Sequence, residues 1–136
     1  MKDIYLICPV RNVTEEQRRF ADLYVEALEK RGVSVHYPPR DVDQTDDGVG
    51  LTLNSTHRQA MFACKEVHVI WDPSSRGSTF DFGMAFMLRA TRDIPIVMAK
   101  SVAPTTNRSY GNILRAIAVP SRLDELLRNP ISISRV

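Results

Sequence analysis

Three short runs of nearly unbroken apolar residues constrain this chain more than anything else in it: Ile4-Tyr5-Leu6-Ile7-Cys8, Val67-His68-Val69-Ile70-Trp71 and residues 94–99. A strand with one wet face alternates polar and apolar residues. A run without that alternation fits a strand buried on both faces, as in a parallel sheet covered by helices. Helical spacing fills the gaps between the runs. Thr14 and Gln17 form a capping-box pattern, Phe20, Leu23, Tyr24, Ala27 and Leu28 recur at helical intervals, and Gly32 closes the segment. Residues 33–37 read as a strand stopped by Pro38-Pro39. Residues 40–53, polar and rich in aspartate, read as a loop. Further helices are expected over 54–64, capped by Asn54 or Ser55, and over 79–90. A short helix at 110–114, a strand at 116–119 and a helix from Ser121 to Leu127 complete the pattern, and the tail after residue 129 is expected to fray.

Such alternation predicts one α/β domain spanning 1–136: a doubly wound, five-stranded parallel sheet of order about 2-1-3-4-5 with helices on both faces. The 136 residues are enough for one core and too few for two. Ligands of such sheets sit beyond the carboxyl ends of the strands, where the strand order reverses. The loops at that edge are 9–13, 38–53, 72–79 and 100–109.

Composition narrows the partners. The net charge is only +2, the basic residues form no run, and aromatic content is 7%, a pattern that gives nucleic acid no clustered basic face to bind. Small anionic ligands remain. Cys8 and Cys64 lie in apolar segments without C-x-x-C spacing and read as buried free thiols of a reducing compartment. The first apolar run, roughly six residues, is too short for a signal-peptide core or a membrane span, so a cytoplasmic protein without membrane association is expected. Asp41, Asp43, Asp46 and Asp47 lack EF-hand spacing, and no metal or cofactor is implied. His36 and His68, on strands, read as packed residues.

The segment Asp72-Pro73-Ser74-Ser75-Arg76-Gly77-Ser78-Thr79-Phe80-Asp81-Phe82-Gly83 follows a buried strand and opens a helix. Its small residues admit a ligand to the backbone, and a helix N-terminus offers free N–H groups to an anion. Asp81, expected in the first turn, points to the same edge; the helix dipole alone also favours an acid there. The segment has neither a Walker loop nor G-x-G-x-x-G.

Together, residues 4–11, the strand ending at Trp71 and the segment Gly77-Ser78-Thr79-Phe80-Asp81-Phe82-Gly83-Met84-Ala85 resemble the nucleoside 2-deoxyribosyltransferase superfamily. The layout is especially similar to the 2′-deoxynucleoside 5′-monophosphate N-glycosidases, over residues 3–128. The resemblance implies a carboxylate nucleophile at the sugar C1′, in the manner of retaining glycoside cleavage, and puts Asp81 in that role. It implies that Tyr5 lies near sugar and nucleophile, where a core aromatic is the plain alternative. It also implies that Arg11, Ser75 and Ser109 meet a phosphate, Ser109 from a neighbouring subunit, so a homo-oligomer is expected. Gly77 and Ser78 belong to the same ligand-facing turn. Trp71, ending its strand, stacks on a base or packs in the core.

Two departures stand out. Aspartate replaces the family's glutamate and stops about 1.5 Å short, and a misplacement near 1 Å costs on the order of a hundredfold in rate unless the backbone moves in. The family's aspartate on the helix before the third strand is absent. His57 stands in that neighbourhood as an alternative acid or base, or as a surface histidine. The loop aspartates are further substitutes. The expected function is hydrolysis or transfer at the N-glycosidic bond of a (deoxy)nucleoside 5′-monophosphate or nucleoside. The alternative is a nucleotide-binding or sensor module on the same fold with weakened catalysis. A response-regulator-like domain shares the sheet order, and Asp72 sits near its acceptor position, but Pro9-Val10-Arg11 replaces its acidic pair.

Overall fold

The computed structural model describes residues 1–45 and 48–128; Asp46, Asp47 and the expected fraying tail lie outside the described residues. Its strands β1 (Ile4–Ile7), β2 (Val35–His36), β3 (Glu66–Val69), β4 (Ile96–Met98) and β5 (Val119–Pro120) form one sheet of order β2-β1-β3-β4-β5. Every pairing is parallel, with Tyr5 in register with both His36 and Val67. The helices are α1 (Glu15–Lys30), α2 (Pro38–Asp41), α3 (Leu51–Ala63), α4 (Arg76–Arg92), α5 (Tyr110–Ile117) and α6 (Arg122–Arg128). This is the doubly wound α/β architecture expected from the sequence.

Alternate residues of β1 build two cores. Ile4, Leu6 and Cys8 join Val35 and the α1 residues Ala21, Tyr24, Val25 and Leu28, with Leu123 of α6 beside them. Tyr5 and Ile7 face the other way, against Met61 of α3, Phe82 and Ala85 of α4, and Leu114 of α5. The two free cysteines are buried on opposite faces. Among the described residues, no helix is long and apolar enough to cross a membrane.

Several boundaries move for identifiable reasons. β2 is shorter than expected because Asp3 takes the backbone N–H and hydroxyl of Ser34, while the N–H of Tyr37 donates to Asp41 at 2.8 Å and starts the one-turn α2 inside the expected loop. α3 starts at Leu51, not at 54. Gly50, at φ 77°, turns the chain into the helix, and Asn54 donates to the Gly50 carbonyl from within it rather than capping it. α4 starts at Arg76 because Ser75 caps it, accepting from the Ser78 N–H. α5 continues to Ile117, which pushes β5 to Val119–Pro120, an edge position where proline's missing N–H is tolerated. The Thr14–Gln17 capping box forms as expected.

Candidate active site

The earlier start of α4 changes what Asp81 is. No acid occupies the first turn of the helix, so Asp81 lies in the second turn, beyond reach of an N-cap role. The expectation of a first-turn position is corrected, and the dipole no longer accounts for the residue. The side chain turns inward instead. Asp81 is only 9% exposed and accepts a hydrogen bond from the Tyr5 hydroxyl at 3.0 Å. Burial pushes its pKa up to about 6, against the partial relief given by the Tyr5 bond. The same burial, with the carboxylate's charge, drives the Tyr5 hydroxyl well above its ordinary range, so it remains a donor.

Two imidazoles close around Tyr5. His36, its neighbour on β2, stacks on the tyrosine ring at 5.0 Å between centroids and 24° between planes. His57 approaches edge-on to both, 6.2 Å from each centroid. His57 is 7% exposed, not a surface residue, and burial lowers its pKa, keeping the ring neutral. The Nε2 of His36 and the Nδ1 of His57 are buried without a hydrogen-bond partner among the described residues. Unpaired buried polar atoms are uncommon in native cores and call for an explanation. His36 is the member of this cluster that sequence reasoning missed. The signal was its β-register with Tyr5, which becomes visible only once strands 1 and 2 are paired in parallel.

The remaining expected site residues lie elsewhere. Ser75 spends its hydroxyl on the cap of α4 and on Ser78 Oγ at 2.9 Å, and Ser78 is buried. Gly77 is exposed, with open space where a side chain would project. Arg11 is exposed in the loop after β1. Ser109 caps α5, accepting from the Asn112 N–H at 3.1 Å and from the Thr105 hydroxyl at 2.9 Å. It lines a recess of about 1420 Å³ together with Trp71, Lys100, Arg108 and Tyr110. Neither Tyr5 nor Asp81 is among the residues lining that recess. Trp71 is half-buried, edge-on to Phe82 at 5.6 Å, so it serves the core and the recess at once. Of the loop acids, Asp41 is engaged by Arg40 and the Tyr37 N–H, and Asp43 by Thr45, which ties both within their own loop. Asp72 accepts from the Ser74 N–H and hydroxyl and from Gln17. Among the described residues, no group of three or more His, Cys, Asp or Glu is placed to hold a metal ion.

No protein-family model matches this chain, and no curated protein matches it.

Proposed function

We propose that the chain cleaves the N-glycosidic bond of a nucleoside or a nucleoside 5′-monophosphate, with Asp81 as nucleophile. The observation that carries this reading is the buried Asp81 carboxylate under the Tyr5 hydroxyl, with a pKa near 6. Nothing in helix capping requires an acid there, and its burial is unfavourable, as expected of a reactive group. At neutral pH most of it is ionised. Attack of an Asp81 oxygen on C1′ breaks the C1′–N bond, and the base leaves with the electron pair and takes a proton from solvent water, which is returned to solvent when a second water opens the ester. Water then cleaves the glycosyl ester, or a second base accepts the sugar. The neutral imidazole of His57 suits a base in the water step better than an acid in the first. Tyr5 directs the carboxylate and lowers the penalty on its charge.

The basic and hydroxyl groups of the strand-end loops, Arg11 after β1 and Lys100, Arg108 and Ser109 around the recess, support a phosphate-bearing substrate and hydrolysis over base exchange. The exposed Phe80 and Met87 of α4 and Tyr110 of α5 support the homo-oligomer that the resemblance implies. The test is incubation of the pure protein with a panel of ribo- and deoxynucleosides and their 5′-monophosphates, with free base measured by chromatography. Release above the buffer control, abolished in Asp81→Asn with binding retained, supports the reading; unchanged turnover in that variant removes Asp81 from the mechanism.

A second reading, a nucleotide-binding or sensor module, is favoured by one observation: the large recess does not include Asp81. Saturable binding of a nucleotide without base release would establish it.

A further inference from the structure

We infer that His36 is a positioning residue for Asp81, acting through Tyr5: its imidazole is the platform that holds the tyrosine ring with its hydroxyl on the carboxylate. This deepens the proposed function, since the group positioned is the nucleophile proposed there. The Tyr5 oxygen lies on the Cβ–Cγ axis, so turning the ring about that axis leaves it in place; its distance of 3.0 Å from Asp81 depends on the tilt of the whole side chain about Cα–Cβ, a swing that a surface against the ring face resists. One face of the ring is covered by His36 in a near-parallel stack, and the arrangement is enforced by the strand register that puts the two residues side by side. His57 meets both rings edge-on and limits their sideways motion. β2 is only two residues long, so its backbone pairing alone is a slight restraint on this edge of the sheet. The stack adds what the pairing lacks.

The platform works by shape rather than charge. Burial and the neighbouring His57 favour the neutral His36 ring against the opposing pull of Asp41, with Lys2 and Arg40 also disfavouring the proton. A flat apolar ring of similar size is therefore expected to replace it, whereas a side chain without a planar face is not.

The test is a carbon-13 NMR titration of the Asp81 carboxyl in the full chain, a readout that exists whether or not the protein turns over a substrate. Wild type is expected to titrate near pH 6. Tyr5→Phe removes the donor and moves the midpoint upward by about one unit. His36→Ala is expected to move it in the same direction, and His36→Phe to keep the wild-type midpoint. Should His36→Ala fail to fold, His36→Leu, which fills the space without a planar face, replaces it in the comparison. A wild-type midpoint in His36→Ala or His36→Leu overturns the inference, as does a His36→Phe variant that shifts like alanine, or a Tyr5→Phe variant that does not shift at all. Base release is measured alongside. The expected midpoints without any release leave His36 in its role and defeat the proposed function.

Discussion

Tyr5 and Tyr24 are both fully buried, on opposite faces of the same sheet, and they keep different company. Tyr24 belongs to a closed chain of polar contacts: its hydroxyl lies 2.6 Å from Nδ1 of His68 and 2.9 Å from Ser121 Oγ, and the other ring nitrogen of His68 lies 3.0 Å from Glu66. The Tyr24 hydroxyl, the Ser121 hydroxyl and both ring nitrogens of His68 all have partners, and Glu66, the half-buried first residue of the central strand β3, carries the charge toward solvent. Among the described residues, the Tyr5 hydroxyl has one partner, a carboxylate with no cation paired to it, and beside it lie two imidazoles with an unpaired nitrogen each. A satisfied buried network fixes a fold, while an unsatisfied one lowers stability and persists where function uses it. The α1–α6 face accordingly reads as scaffold, and the α3–α4 face carries the proposed site.

Asp81→Asn gives the largest expected break in this contrast. Removing the proposed nucleophile is expected to lower turnover by on the order of a thousandfold or more, measured as base release at saturating substrate. The same substitution has an opposite effect on stability. The folded-state pKa of about 6 exceeds the ordinary 3.8, so above pH 6 the carboxyl is charged in both states and the native state bears the full burial penalty. That penalty amounts to about 3 kcal/mol. As pH falls from 6 toward 4 the native state takes the proton first and the penalty fades. Asparagine carries no charge at any pH. Chemical denaturation is therefore expected to show Asp81→Asn more stable than wild type by about 3 kcal/mol at pH 8, with the difference vanishing below pH 4. A variant no more stable at pH 8 than at pH 4 would mean the carboxylate is better solvated than its burial suggests.

The sequence carried the sheet further than the site. Unbroken apolar runs identify buried parallel strands, and the alternation with helices leaves few topologies, so the strand order followed. α3 and α4 start three residues before the positions that apolar spacing predicts, because Gly50 and Ser75 precede them upstream of the expected caps, and the positive φ of Gly50 has no counterpart in apolar periodicity. That error of three residues mattered most at Asp81, because it made an inward-facing acid look like a dipole-stabilised one. Tyr5 and Asp81 were legible as a pair only through the family resemblance. Their contact spans 76 positions in the chain, and nothing local predicts it. His36 is packed, as its strand position implies, but its place beside Tyr5 is not legible locally, and the surface alternative for His57 fails for the same reason: what packs over a histidine on a polar helix depends on distant parts of the chain.

Tyr24→Phe tests the scaffold half of the contrast. It leaves Nδ1 of His68 buried and unpaired, which costs about 1–3 kcal/mol in thermal or chemical unfolding, with base release unaffected. A fall in turnover without a fall in stability would mean that the two faces are not separate in role. Tyr5→Phe is the matching change on the other face. There the acid limb of kcat/KM, expected near pH 6 in wild type, rises by about one unit, because the bond lost stabilised the ionised carboxylate. Activity at pH 8 then recovers most of the wild-type value, a pattern that a general loss of packing does not produce.

The smallest effect sharpens the relation between the carboxylate cluster and the recess beside it. A Cβ at Gly111 would lie 3.1 Å from the indole Nε1 of Trp71 and 3.5 Å from Val102, so Gly111→Ala makes the half-buried indole give by a few tenths of an ångström. Because Gly111 sits in the first turn of α5, alanine also gains up to about 1 kcal/mol of helix propensity, which offsets the crowding and leaves stability close to wild type. The displaced indole lines the recess, which neither Tyr5 nor Asp81 lines, and packs edge-on against Phe82. If the recess holds the base while Asp81 attacks the sugar, Gly111→Ala raises KM with kcat and the acid limb unchanged. A change in kcat alone would place the indole's influence on the carboxylate through Phe82, and the two regions would then be one site.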